Sequence, residues 1–284
     1  MQIRPPSVGR AAFARLAVLF ASRAILPPES ASAAVKLSNG MEEVRKAASL
    51  IPGYGPPDIA FPPAFRGRWR VQNRVVDVKA PLGEEAAPPA ALRAARELMA
   101  ADKPLQYEAR FLATESGGIS ITNGKADGVA LSANAYNGPV IADRAFNAEQ
   151  RAAAQPGAFP LQDYEARWDA TNPNVLTLAC RGSLVETKVT KRSFDAPFEG
   201  AFGTSEYARI ADAGSEGVMS SVPQIMAQRV QTKYKWDATA DGVLRQIEAL
   251  ELASTFDPTA TGFADLAGAT PVLTVKSRVV FTRE

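Results

Sequence analysis

The chain has 284 residues and a formal net charge of +2, and 46% of its residues are hydrophobic. This composition is typical of a globular protein with enough length to bury a core. The sequence contains no histidine, which excludes Ser-His-Asp and Cys-His catalysis as well as histidine-ligated metal sites. Because Cys180 is the only cysteine, an intramolecular disulfide is excluded too.

Residues 1–33 are predicted to be a cleavable targeting peptide. They contain four arginines but only one acidic residue, Glu29, and an apolar stretch at 11–26 is followed by the small-x-small pattern Ala31-Ser32-Ala33. The alternative is a surface amphipathic helix that stays attached. Without this segment the chain is close to neutral, so nucleic acid is not an expected partner. No later segment is long and apolar enough to span a bilayer, and the mature protein is expected to be soluble.

In chain order, the next predicted element is a helix at residues 41–50, which Pro52-Gly53 stops. A stiff, proline-rich lead-in follows. After a strand at 69–79, a second helix is predicted at 88–102, because prolines are tolerated at its start. An apolar stripe on this helix is formed by Leu92, Ala95 and Met99, with Leu98 at its edge.

The rest of the chain is predicted to be strands separated by short turns. The segments are 105–113, 119–122, 140–146, 164–169, 175–180, 183–192, 202–210, 228–238, 243–252 and 272–282. Apolar and polar residues alternate most clearly in three of them. In 272–282, for example, Leu273, Val275, Val279 and Phe281 share a face opposite Arg278. This pattern indicates antiparallel sheet with one solvated face.

The fold class is therefore all-β, and the predicted architecture is a lipocalin-like antiparallel β-barrel with one inserted helix. We divide the chain into a targeting peptide at 1–33, a helix and proline-rich lead-in at 34–59, and the barrel at 60–284. In lipocalin-like barrels a Gly-x-Trp motif opens the first strand, and an arginine of the last strand stacks on that tryptophan. Gly67 and Trp69 fit the motif, and Arg278 is the predicted partner, with Arg283 as the alternative.

Candidate ligand-binding residues are Tyr107, Arg144, Trp168, Tyr234 and Trp236. Arg144 either anchors an anion at the barrel mouth or forms an ion pair at a strand end, and the ion pair is favoured. The two tryptophans either line a pocket or fill the core, and the core is favoured.

The other charged and reactive residues are predicted to have structural roles or to lie apart from one another. Residues 189–192 are predicted to be a solvated basic strand end, and Cys180 a buried, unreactive thiol. An acid–base pair would have to come from Asp77, Glu186 and Glu248, which lie in separate predicted strands.

Several short motifs occur in an order that resembles a domain-of-unknown-function family of cyanobacteria and plastids. They include Pro52-Gly53-Tyr54-Gly55-Pro56-Pro57-Asp58, Phe65-Arg66-Gly67-Arg68-Trp69, Asp143-Arg144, Trp168 with Asn172-Pro173-Asn174, and Val189-Thr190-Lys191-Arg192. The resemblance extends from about residue 45 to the C-terminus. It implies a location in the plastid, in the thylakoid lumen, and it supplies no activity and no catalytic residues.

From the sequence we expect a barrel that binds an apolar small molecule such as a lipid or pigment, with the helix at 88–102 covering one mouth. No cofactor and no metal are expected. One alternative is an assembly or maintenance factor that contacts subunits of a photosynthetic membrane complex. The other is a carboxylate-dependent enzyme on the same scaffold.

Overall fold

A computed structural model describes residues 56–113, 140–169, 172–215, 224–237, 244–257, 266 and 268–283. The predicted targeting peptide, the helix at 41–50 and the strand at 119–122 lie outside the described residues.

Within this part of the chain, ten strands form one antiparallel sheet, which confirms the all-β, barrel-like fold. The strands are β1 (Gly67–Lys79), β2 (Leu105–Ala113), β3 (Val140–Ala142), β4 (Tyr164–Asp169), β5 (Asn172–Cys180), β6 (Ser183–Phe194), β7 (Ala201–Ser215), β8 (Gln224–Lys235), β9 (Gln246–Phe256) and β10 (Leu273–Arg283). Two α-helices accompany them, α1 (Pro89–Ala100) and α2 (Arg144–Ala153).

The sheet is a curled half-barrel rather than a fully closed one. Its strand order is β3-β2-β1-β10-β9-β8-β7-β6-β5-β4, so the first strand pairs with the last. Among the described residues, β3 and β4 are the two edges of this sheet. Helix α2 contacts β2 on one side and β4 and β5 on the other. The helix therefore fills the gap that pairing of β3 with β4 would otherwise close.

One end of the barrel is closed by aromatic side chains. The segment before β1 brings Phe61 and Phe65 inside, where they pack with Phe111, Phe202 and Tyr234 at centroid distances of 4.9–6.3 Å. Edge-on and tilted ring contacts of this kind are favourable beyond the area they bury.

The other end is covered by α1, as the sequence predicted. Its apolar face packs against inward-facing residues of β1, β2 and β10, namely Val75, Leu105 and Val275. The predicted stripe is wrong in one residue, because Leu98 is 5% exposed whereas Met99 is 39% exposed. Leu98 therefore belongs to the packing face and Met99 does not.

The predicted strand at 140–146 is wrong beyond Ala142, because α2 begins at Arg144. Asp143 is the N-cap, and its side chain accepts a hydrogen bond from the backbone N–H of Phe146 at 3.1 Å. The buried face of α2 consists of Ala145, Ala148 and Ala152. These small residues let the helix approach β4 and β5 closely, where Trp168 and Leu178 belong to the same core cluster.

Trp69 meets an arginine of the last strand, but the residue is Arg283 and not Arg278. The Arg283 guanidinium carbon lies 4.4 Å from the Trp69 ring centroid, and the two residues are direct partners in the β1–β10 register. Arg278 instead pairs with Glu248 at 2.9 Å on the exposed face. Successive side chains of a strand point to opposite faces, so Arg283 shares the inward face with Val279 and Phe281.

The backbone of Gly67 lies next to the Arg283 guanidinium group. Its φ is +113°, and a Cβ atom built on it would lie 3.3 Å from an Arg283 terminal nitrogen. Only glycine adopts this backbone without strain. Gly67 therefore permits both the turn into β1 and the approach of Arg283.

Candidate functional site

A cavity of about 200 Å³ lies inside the barrel, between the aromatic end and the end that α1 covers. One part of its wall is apolar and includes Phe61, Phe111, Val230, Val279 and Phe281. Other lining residues are polar or charged, among them Glu206, Gln228 and Glu251. The helix α2 contributes to this polar wall through Arg144, Asn147 and Arg151, which recur at helical spacing on one face.

A first polar cluster includes the lining residues Arg144 and Glu206 and joins α2 and β7 to the segment before β1. Arg144 donates to Glu206 Oε1 at 2.8 Å and to Asp58 Oδ2 at 3.2 Å. Arg192 also donates to Glu206. The side chains of Arg144 and Glu206 are 15% and 19% exposed, and that of Arg192 is 1% exposed. Two guanidinium groups thus face two carboxylates out of bulk water.

Arg192 also fastens the segment before β1 to the start of β5. Its Nη1 donates to the Pro56 carbonyl at 3.1 Å and to Asn174 Oδ1 at 2.6 Å, and its Nη2 donates to the Pro173 carbonyl at 2.7 Å. The prediction that residues 189–192 are a solvated strand end is therefore wrong for Arg192. A β-bulge shifts the register between Val189 and Lys191. This shift turns Arg192, rather than Lys191, toward the interior.

The second polar cluster is centred on the ion pair between Arg151 of α2 and Glu251 of β9, whose side chains are 13% and 12% exposed. Asn73 donates to Glu251 Oε1 at 3.5 Å. The Arg151 guanidinium carbon lies 5.7 Å from the Tyr107 ring centroid. Within the described residues, the Nε atom of Arg151 is buried and has no hydrogen-bond partner.

These clusters shift the pKa values of their members. Burial alone would raise the pKa of Glu206, but Arg144 and Arg192 hold it at about 2. Burial opposes the charged form of Arg144 as well, yet Asp58 and Glu206 raise its pKa overall. Burial raises the pKa of Tyr107 and of Tyr234. At neutral pH the cavity wall therefore holds charged pairs and neutral phenols.

The structure brings three of the predicted ligand-binding residues, Tyr107, Arg144 and Tyr234, to the cavity wall. Whether they bind a ligand stays a prediction. Trp168 lies in the core under α2, and the Trp236 ring packs edge-on against Phe65 at 5.4 Å. Trp168 is therefore a core residue, which was the favoured interpretation, whereas Trp236 is half-buried and packs against the edge of the aromatic cluster.

The three carboxylates considered for acid–base chemistry are not brought together. Asp77, Glu186 and Glu248 are all more than 40% exposed, and each has its own cationic neighbour, respectively Lys79, Arg209 and Arg278. Within the described residues, no group of three or more His, Cys, Asp or Glu side chains is arranged to hold a metal ion.

Cys180 is buried, as predicted. Burial, followed by the charge of Asp163, raises the pKa of its thiol. The thiol is therefore held in its less reactive, protonated form.

Three residues of the cavity wall were not predicted from the sequence, namely Glu206, Glu251 and Arg151. The strand alternation contained a signal for the two glutamates. Glu251 has the same parity as the buried Ile247, Ala249 and Ala253 of its strand, and Glu206 has the parity of Phe202. A charged residue at an inward position of a barrel strand indicates a buried ion pair. Arg151 carried no such signal, because α2 was not predicted.

Of the comparisons with known proteins, the one with protein-family models found a match. The model of a family described as a domain of unknown function, DUF6816, matches residues 53–284. Searches of curated proteins and of solved structures gave no match. Neither helix in the described part of the chain is long and apolar enough to cross a membrane.

Proposed function

The chain belongs to the DUF6816 family, and we propose that its barrel binds one small, mainly apolar molecule in the interior cavity. The observation that carries this proposal is the cavity of about 200 Å³ on the inner side of the curled sheet. Close-packed protein interiors contain few voids larger than a water molecule. A void of this size at the centre of the barrel is therefore a feature that packing alone does not require.

The cavity volume limits the size of the ligand. An engineered apolar cavity of about 150 Å³ binds benzene, so about 200 Å³ has room for one ring with a short tail. A whole membrane lipid or a tetrapyrrole pigment is larger than this. We therefore propose that the ligand is either a compact molecule or a longer apolar chain, of which only one end lies in the cavity.

Native mass spectrometry of the full chain, purified from the cells that produce it, tests the proposal. We expect a stoichiometric mass increment that organic extraction releases. The variant Ala109→Phe fills the cavity, because Ala109 is buried and lines it. Ala179→Phe is the matched control, because Ala179 lies on the opposite face of β5 from the buried Leu178 and Cys180.

The proposal fails if the wild-type chain has no increment. It also fails if Ala109→Phe retains the same increment as Ala179→Phe.

We further propose that this binding takes place in the thylakoid lumen. The support is the resemblance of the motifs to a plastid family and the arginine-rich start of the chain. A fluorescent fusion to the first 60 residues, followed by fractionation of plastids, tests the location. Recovery of the fusion from the cytosol would contradict it.

A role in the assembly of a photosynthetic membrane complex is the second candidate, and it rests on the proposed location alone. Co-purification with a photosystem subcomplex after gentle solubilisation would support it. Recovery as free monomer would count against it.

A further inference from the structure

Four cationic side chains lie on the outer face of β6, β7 and β8, away from the cavity. The residues next to Lys188, Arg209 and Arg229 in their strands line the cavity, so these three side chains point outward. The bulge in β6 turns Arg192 inward, which leaves Lys191 on the outer face as well. Lys188 and Lys191 are exposed, and the Arg209 side chain is 39% exposed.

The strand register brings these four cations together. Lys188 is the direct partner of Arg209, and Lys191 and Arg229 are the partners of Tyr207 from its two sides. Neighbouring strands are about 4.8 Å apart, and residues on the same face of one strand are about 7 Å apart. The backbone positions of the four cations therefore fall within a patch of about 10 by 7 Å.

The ring of Tyr207 holds two of the cations in place. Lys191 Nζ lies 5.7 Å from the ring centroid, and the Arg229 guanidinium carbon lies 5.1 Å from it. The ring itself is 8% exposed and packs with Phe256 and Leu266. Arg229 Nε also donates to Ser205 Oγ at 3.4 Å. A cation–π contact attracts a cation but does not neutralise it, so both charges stay available.

The charge of this patch is not balanced by neighbouring acids. Within the described residues, the one carboxylate that forms an ion pair with any of the four cations is that of Glu186, 3.5 Å from Arg209. Like charges directly opposite each other on neighbouring strands destabilise a sheet, and Lys188 and Arg209 have this arrangement. An anion bound over the patch would remove the repulsion.

We propose that Lys188, Lys191, Arg209 and Arg229 form a binding site for a tetrahedral oxyanion, a phosphate or sulfate group that is either free or the head of a lipid. Guanidinium groups bind such oxyanions through paired hydrogen bonds, and lysines add charge without a fixed geometry. The site lies on the opposite face of the sheet from the cavity, and it is independent of the function proposed for the cavity.

NMR titrations of the full chain at low ionic strength test the site, because salt screens exposed charges. Sodium phosphate, sodium sulfate and sodium chloride are compared at equal ionic strength. We expect phosphate and sulfate to shift the amide signals of Lys191, Tyr207 and Arg229, and we expect chloride to bind about tenfold more weakly or less.

Three variants show whether the binding is local to the patch. Lys191→Gln with Arg229→Gln should weaken phosphate binding about tenfold or more. Lys276→Gln with Arg278→Gln is the matched control, because it removes the same charge from the outer face of β10, and its phosphate affinity should equal that of the wild type. Tyr207→Leu keeps every charge but removes the ring, and its affinity should fall about threefold.

Co-sedimentation with vesicles distinguishes the two sources of the oxyanion. Vesicles that contain phosphatidylglycerol are compared with vesicles of phosphatidylcholine alone. The arginine-rich start of the chain attracts anionic vesicles too, so only sedimentation that Lys191→Gln with Arg229→Gln abolishes is assigned to the site. Such sedimentation identifies a lipid head, and phosphate binding without it identifies a free anion.

The proposal is overturned if chloride reproduces the shifts, or if the control pair on β10 loses as much affinity as the pair on β6 and β8. Unchanged phosphate affinity in Tyr207→Leu would also overturn it, because the charges would then act without an organised site. Ala109→Phe, which fills the cavity, should bind phosphate as the wild type does, so a failure of the cavity function leaves this test intact.

Discussion

Replacement of Arg283 by methionine tests how the barrel is closed between its first and last strands. Trp69 is fully buried, and Arg283 stacks on it at 4.4 Å. Arg283 also donates to the carbonyls of Leu244, Arg66 and Ala64 at 2.7, 3.1 and 2.7 Å. Methionine retains most of the aliphatic stem but loses the cation–π contact and all three hydrogen bonds.

The magnitude follows from these contacts. A cation–π contact of this kind contributes about 1 kcal/mol. The three hydrogen bonds from a charged donor are partly exposed, so together they contribute about 1–2 kcal/mol. We therefore expect Arg283→Met to lower the free energy of unfolding by about 2–3 kcal/mol. Arg278→Met, in the same strand, removes only an exposed ion pair with Glu248 and should lower it by about 0.5 kcal/mol or less.

Urea titration of the full chain, followed by tryptophan fluorescence at fixed pH, measures both changes. The slope of the free energy with urea should be the same in the two variants, so that the midpoints report stability alone. If Arg278→Met destabilises the chain as much as Arg283→Met does, the assignment of the closing arginine is wrong.

Four further predictions concern the interior and the helix that closes the gap. Arg192→Met should destabilise the fold by about 3–5 kcal/mol in urea, because Arg144 alone then faces two buried carboxylates and three acceptors lose their donor. Arg209→Met, which removes the half-exposed ion pair with Glu186 of β6, should change the stability little. The pKa of Glu206 is lowered to about 2, so its contribution to stability is complete above a pH of about 4.5 and is lost as the pH falls toward 2. In Glu206→Gln the stability, followed by circular dichroism, should therefore depend less on pH in that window, and a pH dependence equal to that of the wild type would contradict this. Asp143→Ala should lower the melting temperature more than Asp143→Asn, which keeps the helix N-cap, worth about 1 kcal/mol; equal effects would refute a capping role. Cys180 should react with an alkylating reagent only as fast as the chain unfolds, and rapid modification of the native protein would refute its burial.

Strand positions were predictable because the sheet has one apolar face. The strand Tyr164–Asp169, in which apolar and polar residues alternate, begins and ends where it was predicted, and so does Leu105–Ala113, whose ends were predicted from turn residues. The helix α2 was missed because its buried face consists of alanines. Alanine stripes give no strong periodic signal, and the N-cap Asp143 resembles a residue that ends a strand.

The candidate site was less predictable than the fold. Its charged residues come from elements that are distant in sequence, such as Asp58, Arg192 and Glu251. Alternation assigns an inward face to a residue but does not show which inward residues meet. The arginine that stacks on Trp69 was predictable from alternation. Arg283 has the same parity as the apolar Val279 and Phe281, whereas Arg278 has the opposite parity.

The pairing of β1 with β10 has a consequence for how this protein acquires its structure. Arg66 and Arg283, which are joined by a hydrogen bond at the barrel end, are 217 positions apart. β1 can pair with β2 early, but its other edge stays unpaired until β10 has been synthesised. Contacts between such distant segments make folding slow, and an uncovered strand edge is prone to aggregate in the meantime. Newly made chains should consequently depend on a chaperone until the last strand is released.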